Sequence, residues 1–373
     1  MDKLAQQRMH ASMEHYYALI LAGGGGTRLW PLSRKDKPKQ MIPLLNEDTM
    51  FQMAVNRLQP LFPPERILVV TGQKYVDDMR RDAPDIPAEN FIVEPFGRDS
   101  GPAVALGLAV LAHRDPLATV AMVTADHHIA QEGKFRDVLE AAHEIAQEGK
   151  TVTLGIKPDS PSTGFGYIQR GSRLGTSNGF DYHIATRFTE KPDIVRASQF
   201  VSSGRYSWNS GMFIWTVAQG MAEFERQQPD IYTVIQTIQA SVDKPDFEAI
   251  LSVEWAKMPK KSIDYAIMEG AQNMSVIPVD IGWNDVGTWS SVFDVLEKDG
   301  LGNCAKGKQA EKRIALDTHK TFVYSDRLIV TIGVDNVIVV ETEDVLLICH
   351  KDRAQEVKEV VNYLSENGNG DYL

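Results

Sequence analysis

The sequence predicts an α/β protein, a mostly parallel sheet flanked by helices with a small β-rich domain at its C-terminal end. Three observations carry this. Residues 17–21, 67–70 and 120–123 are wholly apolar short runs, as strands covered on both faces should be. Amphipathic or largely apolar stretches lie between and after them. Residues 49–58 place Met50, Phe51, Ala54, Val55 and Leu58 at helical spacing behind Asp48 or Thr49 as a cap, and 102–113 reads as a buried helix opened by Pro102. This alternation is the pattern of βαβ units. After residue 300 the texture changes to short β-type runs at 328–330, 336–340 and 345–349, followed by a polar helix over 353–362.

At 373 residues the chain suits one large domain and a smaller one, expected over 16–300 and 301–373 with a linker at 300–311 rich in glycine. Residues 1–15 are polar, lack the apolar core of a secretory signal, and read as a flexible tail. Hydrophobic content of 43% and charged content of 24% exclude disordered and fibrous classes. No apolar run approaches the roughly 20 residues that span a bilayer, so no membrane role is expected. Cys304 and Cys349 stand far apart without CxxC spacing, which suits a reducing cytoplasm and excludes a zinc-site pattern.

A formal net charge of −11 argues against sequence-independent nucleic-acid binding, which needs a broad positive surface. A small anion needs only a local cation cluster. Arg34, Lys35, Lys37 and Lys39 supply one, close after Arg28.

That cluster follows the first predicted strand, in Leu21-Ala22-Gly23-Gly24-Gly25-Gly26-Thr27-Arg28. Consecutive glycines let a backbone approach a ligand and turn its N–H groups toward phosphate oxygens. A loop at the carboxyl end of a strand is also where ligands bind in open α/β sheets. Two common phosphate motifs fail: GxGxxG meets Leu29 or Arg28 at its third glycine, and the one Gly-Lys-Thr, at 149–151, has Glu144 where a Walker loop needs glycine.

The stretch 21–40, LAGGGGTRLWPLSRKDKPKQ, resembles the opening motif of the sugar-1-phosphate nucleotidyltransferases, and its TRLWPLSR and PKQ segments are most similar to the mannose-1-phosphate guanylyltransferase family. The resemblance implies a Rossmann-like sheet of the nucleotide-diphospho-sugar transferase type. It also implies that Arg28 and Lys39 contact the triphosphate and stabilise charge in the transition state. Residues 94–103, EPFGRDSGPA, are similar to the family segment EPxxRNTAPA beside the nucleotide base, placing Glu94, Arg98 and Asp99 there, with Asp99 in place of the usual Asn and Gly101 in place of Ala. Asp99 or Ser100 would equally cap the helix entered at Pro102.

Further segments keep the family's order. TADHHI at 124–129 is similar to its PADH segment, and a carboxylate at a strand's carboxyl end suits Mg²⁺, so Asp126 is the expected metal ligand. His127 and His128 fit no metal-binding spacing. GFGYI at 164–168 resembles the sugar-pocket turn, which points to Gly166 and Tyr167. FTEKP at 188–192 resembles FxEKP, in which Glu190 accepts from sugar hydroxyls and Lys191 holds the sugar phosphate. WNSGMF at 208–213 adds Asn209, and SIDYAIME at 262–269 matches a further stretch. GWNDVGTW at 282–289 resembles GWSDVGSW and makes Asp285 the second carboxylate on the metal; Asp285 would otherwise cap the following helix.

The resemblance covers about residues 16–362. It implies in-line attack of mannose 1-phosphate on the α-phosphorus of GTP, giving GDP-mannose and pyrophosphate without a covalent intermediate. A related nucleotide and hexose pair is the nearest alternative. A silent regulatory subunit that binds GDP-mannose is the second, and it predicts damage at Arg28, Lys39, Asp126 or Asp285, all of which are present. With the chain ending at Leu373, no second isomerase domain and one activity are expected. The β-rich tail is expected either to pack on the first domain or to form a homodimer.

Overall fold

The run that opens at Tyr16 is apolar on both faces, and it becomes an interior strand of a nine-stranded sheet in the computed structural model, which describes residues 12–373. Most of the polar tail expected over 1–15 lies outside the described residues. Ser12 and His15 are inside them, with Ser12 Oγ 2.6 Å from His143 Nε2 and His15 Nδ1 2.7 Å from Asp115 Oδ2.

The described chain forms two units. The first contains the chain up to Gly23, Ala54–Ala125 and Ile129–Trp283; the second contains Gly24–Met53, Asp126–His128 and Asn284–Leu373. The strands of the first are β1 (Tyr16–Ala22), β2 (Ile67–Gly72), β3 (Phe91–Glu94), β4 (Thr119–Thr124), β5 (Thr151–Ile156), β6 (Tyr167–Ser177), β7 (Phe180–Thr189), β8 (Tyr206–Thr216) and β9 (Met274–Val279). Their order is β3-β2-β1-β4-β8-β5-β9-β7-β6.

The block β3-β2-β1-β4 is parallel, with Leu19 opposite both Leu68 and Met122. β5 and β9 are also parallel, whereas β8 runs against β4 and β5, and β6 and β7 form an antiparallel hairpin. The sheet is therefore mixed, and the expected parallel character holds in its N-terminal half. The hairpin turns at Asn178 (φ 43°) and Gly179 (φ 80°), a pair suited to the two positive-φ positions of a type I′ turn.

The carboxyl ends of β1, β3 and β4 carry Gly23, Glu94 and Ala125, so the topology itself delivers the candidate residues to one edge. Helix Ser100–Arg114 is buried from Gly101 through Leu111 and packs its side chains with Leu19, Leu68 and Met122 in the larger core. None of the described helices is long and apolar enough to cross a membrane.

In the second unit the C-terminal strands stack as rungs of a parallel β-helix. Cys304 lies opposite Phe322, Phe322 opposite Ile338, and Ile314 opposite Val330. Val337–Glu341 then pairs antiparallel with Leu346–His350, and a helix at Val357–Glu366 follows. The unit's core joins Phe322, Ile338 and Val340 of the rungs to Trp289 and Phe293 and to Leu29 and Trp30 from the glycine-rich loop.

His143, on helix Glu132–Ala146, is 2% exposed and stacks on Tyr16 at 4.3 Å. Burial pushes its imidazole down to about 4. An unfolded histidine titrates near 6.5, so the unfolded chain binds the extra proton first as pH falls. Stability is expected to fall between about pH 6.5 and 4, by on the order of 3 kcal/mol from this group. Unfolding midpoints measured across that range should drop less steeply in His143→Phe than in the unaltered protein.

Candidate active site

The glycine-rich loop is shaped by two different demands. Gly24 and Gly26 have φ of 95° and 60°, the left-handed region that disfavours side chains. A Cβ on Gly26 would also stand 2.5 Å from Lys39 Cβ. Gly23 and Gly25 have no positive φ, and a Cβ there would meet nothing nearer than Thr27 Cγ2 at 3.9 Å. Neither packing nor a positive φ requires glycine at these two positions.

The far side of the loop is anchored. Leu29 and Trp30 enter the core of the second unit, Trp289 Nε1 donates to Trp30 O at 2.8 Å, and Ser33 Oγ donates to Gly26 O at 2.7 Å. Trp30 Nε1 donates to Tyr372 O at 2.7 Å. Arg34 is spent on this scaffold through Asp344 at 2.8 Å and the Tyr372 carbonyl, so the basic run is not one anion patch. Arg28 is exposed, and among the described residues its guanidinium enters no ion pair.

Lys39 is 4% exposed. Its Nζ donates to Asp126 Oδ2 at 3.0 Å and to the main-chain O of Asp285 at 2.5 Å. The second unit thus brings together Lys39, Asp126 and Asp285. Burial raises the Asp126 carboxyl, but the Lys39 ammonium, His127 and the Lys39 hydrogen bond outweigh it and hold the group below the usual aspartate value. Asp126 is therefore an anion at neutral pH. The Asp285 turn is strained: Val286 has φ 48° although it is β-branched and fully buried, and its N–H is held by Asn284 Oδ1 at 2.7 Å. Gly287 leaves room for the Asp285 carboxylate, because a Cβ there would lie 2.3 Å from Oδ2.

In the first unit Gly166, Glu190 and Asn209 form one cluster. A Cβ on Gly166 would lie 2.4 Å from Glu190 Oε2 and 3.2 Å from Asn209 Cβ, and Asn209 N donates to Gly166 O at 2.8 Å. Glu190 is nearly buried and pairs with Lys191 through Oε1, while its buried Oε2 has no hydrogen-bond partner among the described residues. A buried carboxylate oxygen without a donor is costly, and a sugar hydroxyl is a donor of the right kind. Lys191 stands at φ 44°. Burial lowers its pKa, but the bond and charge of Glu190 prevail and raise it above the usual lysine value. Tyr167 is fully buried, and its hydroxyl donates to Ser162 O at 2.9 Å.

Asp264 belongs to this cluster and carries no role in the sequence reading. It accepts from Asn209 Nδ2 at 2.9 Å, and burial, then the Glu190 charge, push its carboxyl up to about 6. Its signal was only its place within the SIDYAIME stretch.

Glu94 ends β3 and is buried, and burial followed by Asp99 pushes its carboxyl up to about 7. Asp99 (φ 72°) caps helix Ser100–Arg114 by accepting from Ser100 N at 2.8 Å. The Arg98 guanidinium lies 4.7 Å from the Phe96 ring centroid and donates to Ala256 O at 3.1 Å. Leu21 and Ala22 complete β1.

Two family models match the chain: nucleotidyl transferase over residues 17–300, and the MannoseP isomerase/GMP-like beta-helix domain over 311–364. The chain belongs to the nucleotidyl transferase family, on its mannose-1-phosphate guanylyltransferase branch. It is 39% identical to the xanthan biosynthesis protein XanB of Xanthomonas campestris pv. campestris (strain B100), over 95% of this chain and 74% of that protein. It is 37% identical to a mannose-1-phosphate guanylyltransferase of Salmonella muenchen, over 96% of this chain and 76% of that one. The crystal structure of a protein from Thermus thermophilus described as a mannose-1-phosphate geranyltransferase is 35% identical, with a TM-score of 0.83, covering 94% of this chain and 99% of its own. The chain is accordingly a nucleotidyltransferase.

Two glycines separate binding from folding. In Gly166→Ala the new Cβ would press on Glu190 Oε2 and on Asn209 Cβ, so the KM for a sugar 1-phosphate should rise about tenfold or more, with a smaller effect on the melting temperature. In Gly26→Ala the positive φ and the Lys39 Cβ are both violated. The expected loss is about 1–2 kcal/mol of stability together with turnover, read by thermal unfolding and initial rates.

Proposed function

We propose that the chain transfers GMP from GTP to mannose 1-phosphate, releasing pyrophosphate and GDP-mannose, with Mg²⁺ as its metal. The observation that carries the reading is the meeting of Lys39, Asp126 and the Asp285 turn against Gly26 of the glycine-rich loop. Several relatives named mannose-1-phosphate guanylyltransferase support the choice of substrates.

The donor set suits a hard cation. Asp126 is an anionic carboxylate, and the Asp285 carboxylate has space made for it by Gly287. Among the described residues no cluster of three or more His, Cys, Asp or Glu side chains forms a closed cage. Mg²⁺ favours such sparse oxygen donors because it keeps waters and takes phosphate oxygens as its remaining ligands. When bound, it would neutralise charge on the triphosphate.

The chain's own groups do the rest of the work. The amides of Gly23–Gly26 and the Arg28 side chain hold the triphosphate, and Lys39 keeps Asp126 ionised and oriented. Glu94, Arg98 and Asp99 read the guanine. Glu190 and Asn209 take hydroxyls of the hexose, with Gly166 leaving room for it and Tyr167 fixing the turn, and Lys191 steadies its phosphate. The sugar phosphate oxygen then displaces pyrophosphate in line at the α-phosphorus, and catalysis comes mainly from positioning and charge neutralisation.

Pyrophosphate release should require Mg²⁺, GTP and mannose 1-phosphate together, with ATP, UTP and dTTP much poorer; equal rates with all four nucleotides would overturn the guanine assignment. Asp126→Ala and Asp285→Ala should each lower turnover by about a hundredfold or more and raise the Mg²⁺ requirement. Lys191→Ala should raise the KM for mannose 1-phosphate about tenfold and leave that for GTP nearly unchanged.

A further inference from the structure

A cavity of about 690 Å³ in the first unit is lined by Asp99, Lys191, Lys260, Lys261, Ser262 and Tyr265. We propose that Lys260 and Lys261, which neither the motifs nor the relatives single out, bind the phosphate of the sugar 1-phosphate together with Lys191. The inference rests on the hexose site proposed above and extends it by one subsite.

Lys191 ties the two places together. It pairs with Glu190 on the hexose side and lines this cavity on the other. A phosphate carried by a hexose on Glu190 and Asn209 thus lies within the reach of Lys191, and the cations next in line are Lys260 and Lys261. Lys191 alone is a poor counter-charge, because Glu190 already takes up much of its field. A phosphate monoester carries about 1.5 to 2 negative charges at pH 7 and needs more.

Lys260 and Lys261 are available to supply it. Among the described residues neither ammonium takes part in a hydrogen bond or ion pair, and the one carboxylate lining the cavity, Asp99, already accepts from Ser100 N. Lys191, Lys260 and Lys261 line one cavity, and an anion bound there offsets the repulsion among their like charges. On a chain of net charge −11 such a local reversal of sign is also what draws an anionic substrate in.

The position of these lysines is fixed by the fold. Lys261 N donates to Arg98 O at 3.3 Å, Lys261 O accepts from Gly101 N at 3.0 Å, and Ile263 N donates to Ser100 Oγ at 2.9 Å. The segment is zipped to the start of helix Ser100–Arg114 on both sides of the lysine. These bonds use main-chain atoms of Lys261, so changing its side chain leaves them in place.

The test is steady-state kinetics on Lys260→Gln, Lys261→Gln and the double variant, with Lys261→Arg as the conservative control. The double variant should raise the KM for mannose 1-phosphate about tenfold or more, keep the KM for GTP within about twofold and flatten the ionic-strength dependence of the former. Lys261→Arg should stay close to the unaltered protein. An unchanged KM for mannose 1-phosphate in the double variant, or a change confined to GTP, would overturn the proposal. Calorimetric titration with inorganic phosphate and with a panel of hexose 1-phosphates separates this from the reaction itself. If no GDP-mannose is made, the proposed function fails, while weaker phosphate binding in the double variant still supports the lysine subsite and equal binding still defeats it.

Discussion

A buried ammonium organises the loops of the second unit. Lys39 loses most of its hydration, and an unpaired charge in that position would be strongly destabilising. Its partners are the Asp126 carboxylate and the Asp285 carbonyl, which come from the end of a strand and from a turn far along the chain. Satisfying one ammonium therefore fixes three segments at once. Gly26 must be glycine for the lysine to approach, and Val286 must accept a left-handed backbone for the Asp285 carbonyl to present itself. The strain at Val286 is held by the Asn284 side chain below it and by its own burial.

The Glu190 cluster of the first unit follows a different logic, with carboxylates left partly unmatched. Glu190 and Asp264 sit close enough to raise the pKa of the latter, and one oxygen of Glu190 has no donor among the described residues. Departures from the family pattern also find local causes. Asp99 stands at φ 72° and ψ 175°, a conformation costly for any side chain, and its carboxylate caps the helix by accepting from Ser100 N. Gly101 replaces alanine where a Cβ would stand 2.6 Å from Lys261 O. That close approach is the same one that seats Lys261.

What was legible in the sequence tracks what is buried. The strands 17–21, 67–70 and 120–123 stood out because both faces are covered, and each is observed two residues longer. The β6–β7 hairpin escaped notice because its strands are half-exposed and carry Arg170, Arg173 and Arg187, although Asn178-Gly179 was a readable turn signal. The β-helix was legible only as short β-type runs, since each rung holds about three residues and its repeat lies in stacking across coils. Arg28, Lys39, Glu190 and Lys191 could be picked out from motifs. Their partners could not: that Lys39 meets Asp126, or that Asp264 orients Asn209, depends on distances the linear chain does not display.

On the proposed reading, the residues nearest the metal and those nearest the hexose fall in different units. Lys39, Asp126 and Asp285 belong to one, and Gly166, Glu190, Asn209 and Asp264 to the other. On the proposed reading, the set that handles metal and triphosphate shares no residue with the set that recognises the hexose. Drift in one set is then free of the constraints on the other. A lineage could exchange its sugar by rewriting a handful of positions between 166 and 264 and inherit its phosphate chemistry unaltered.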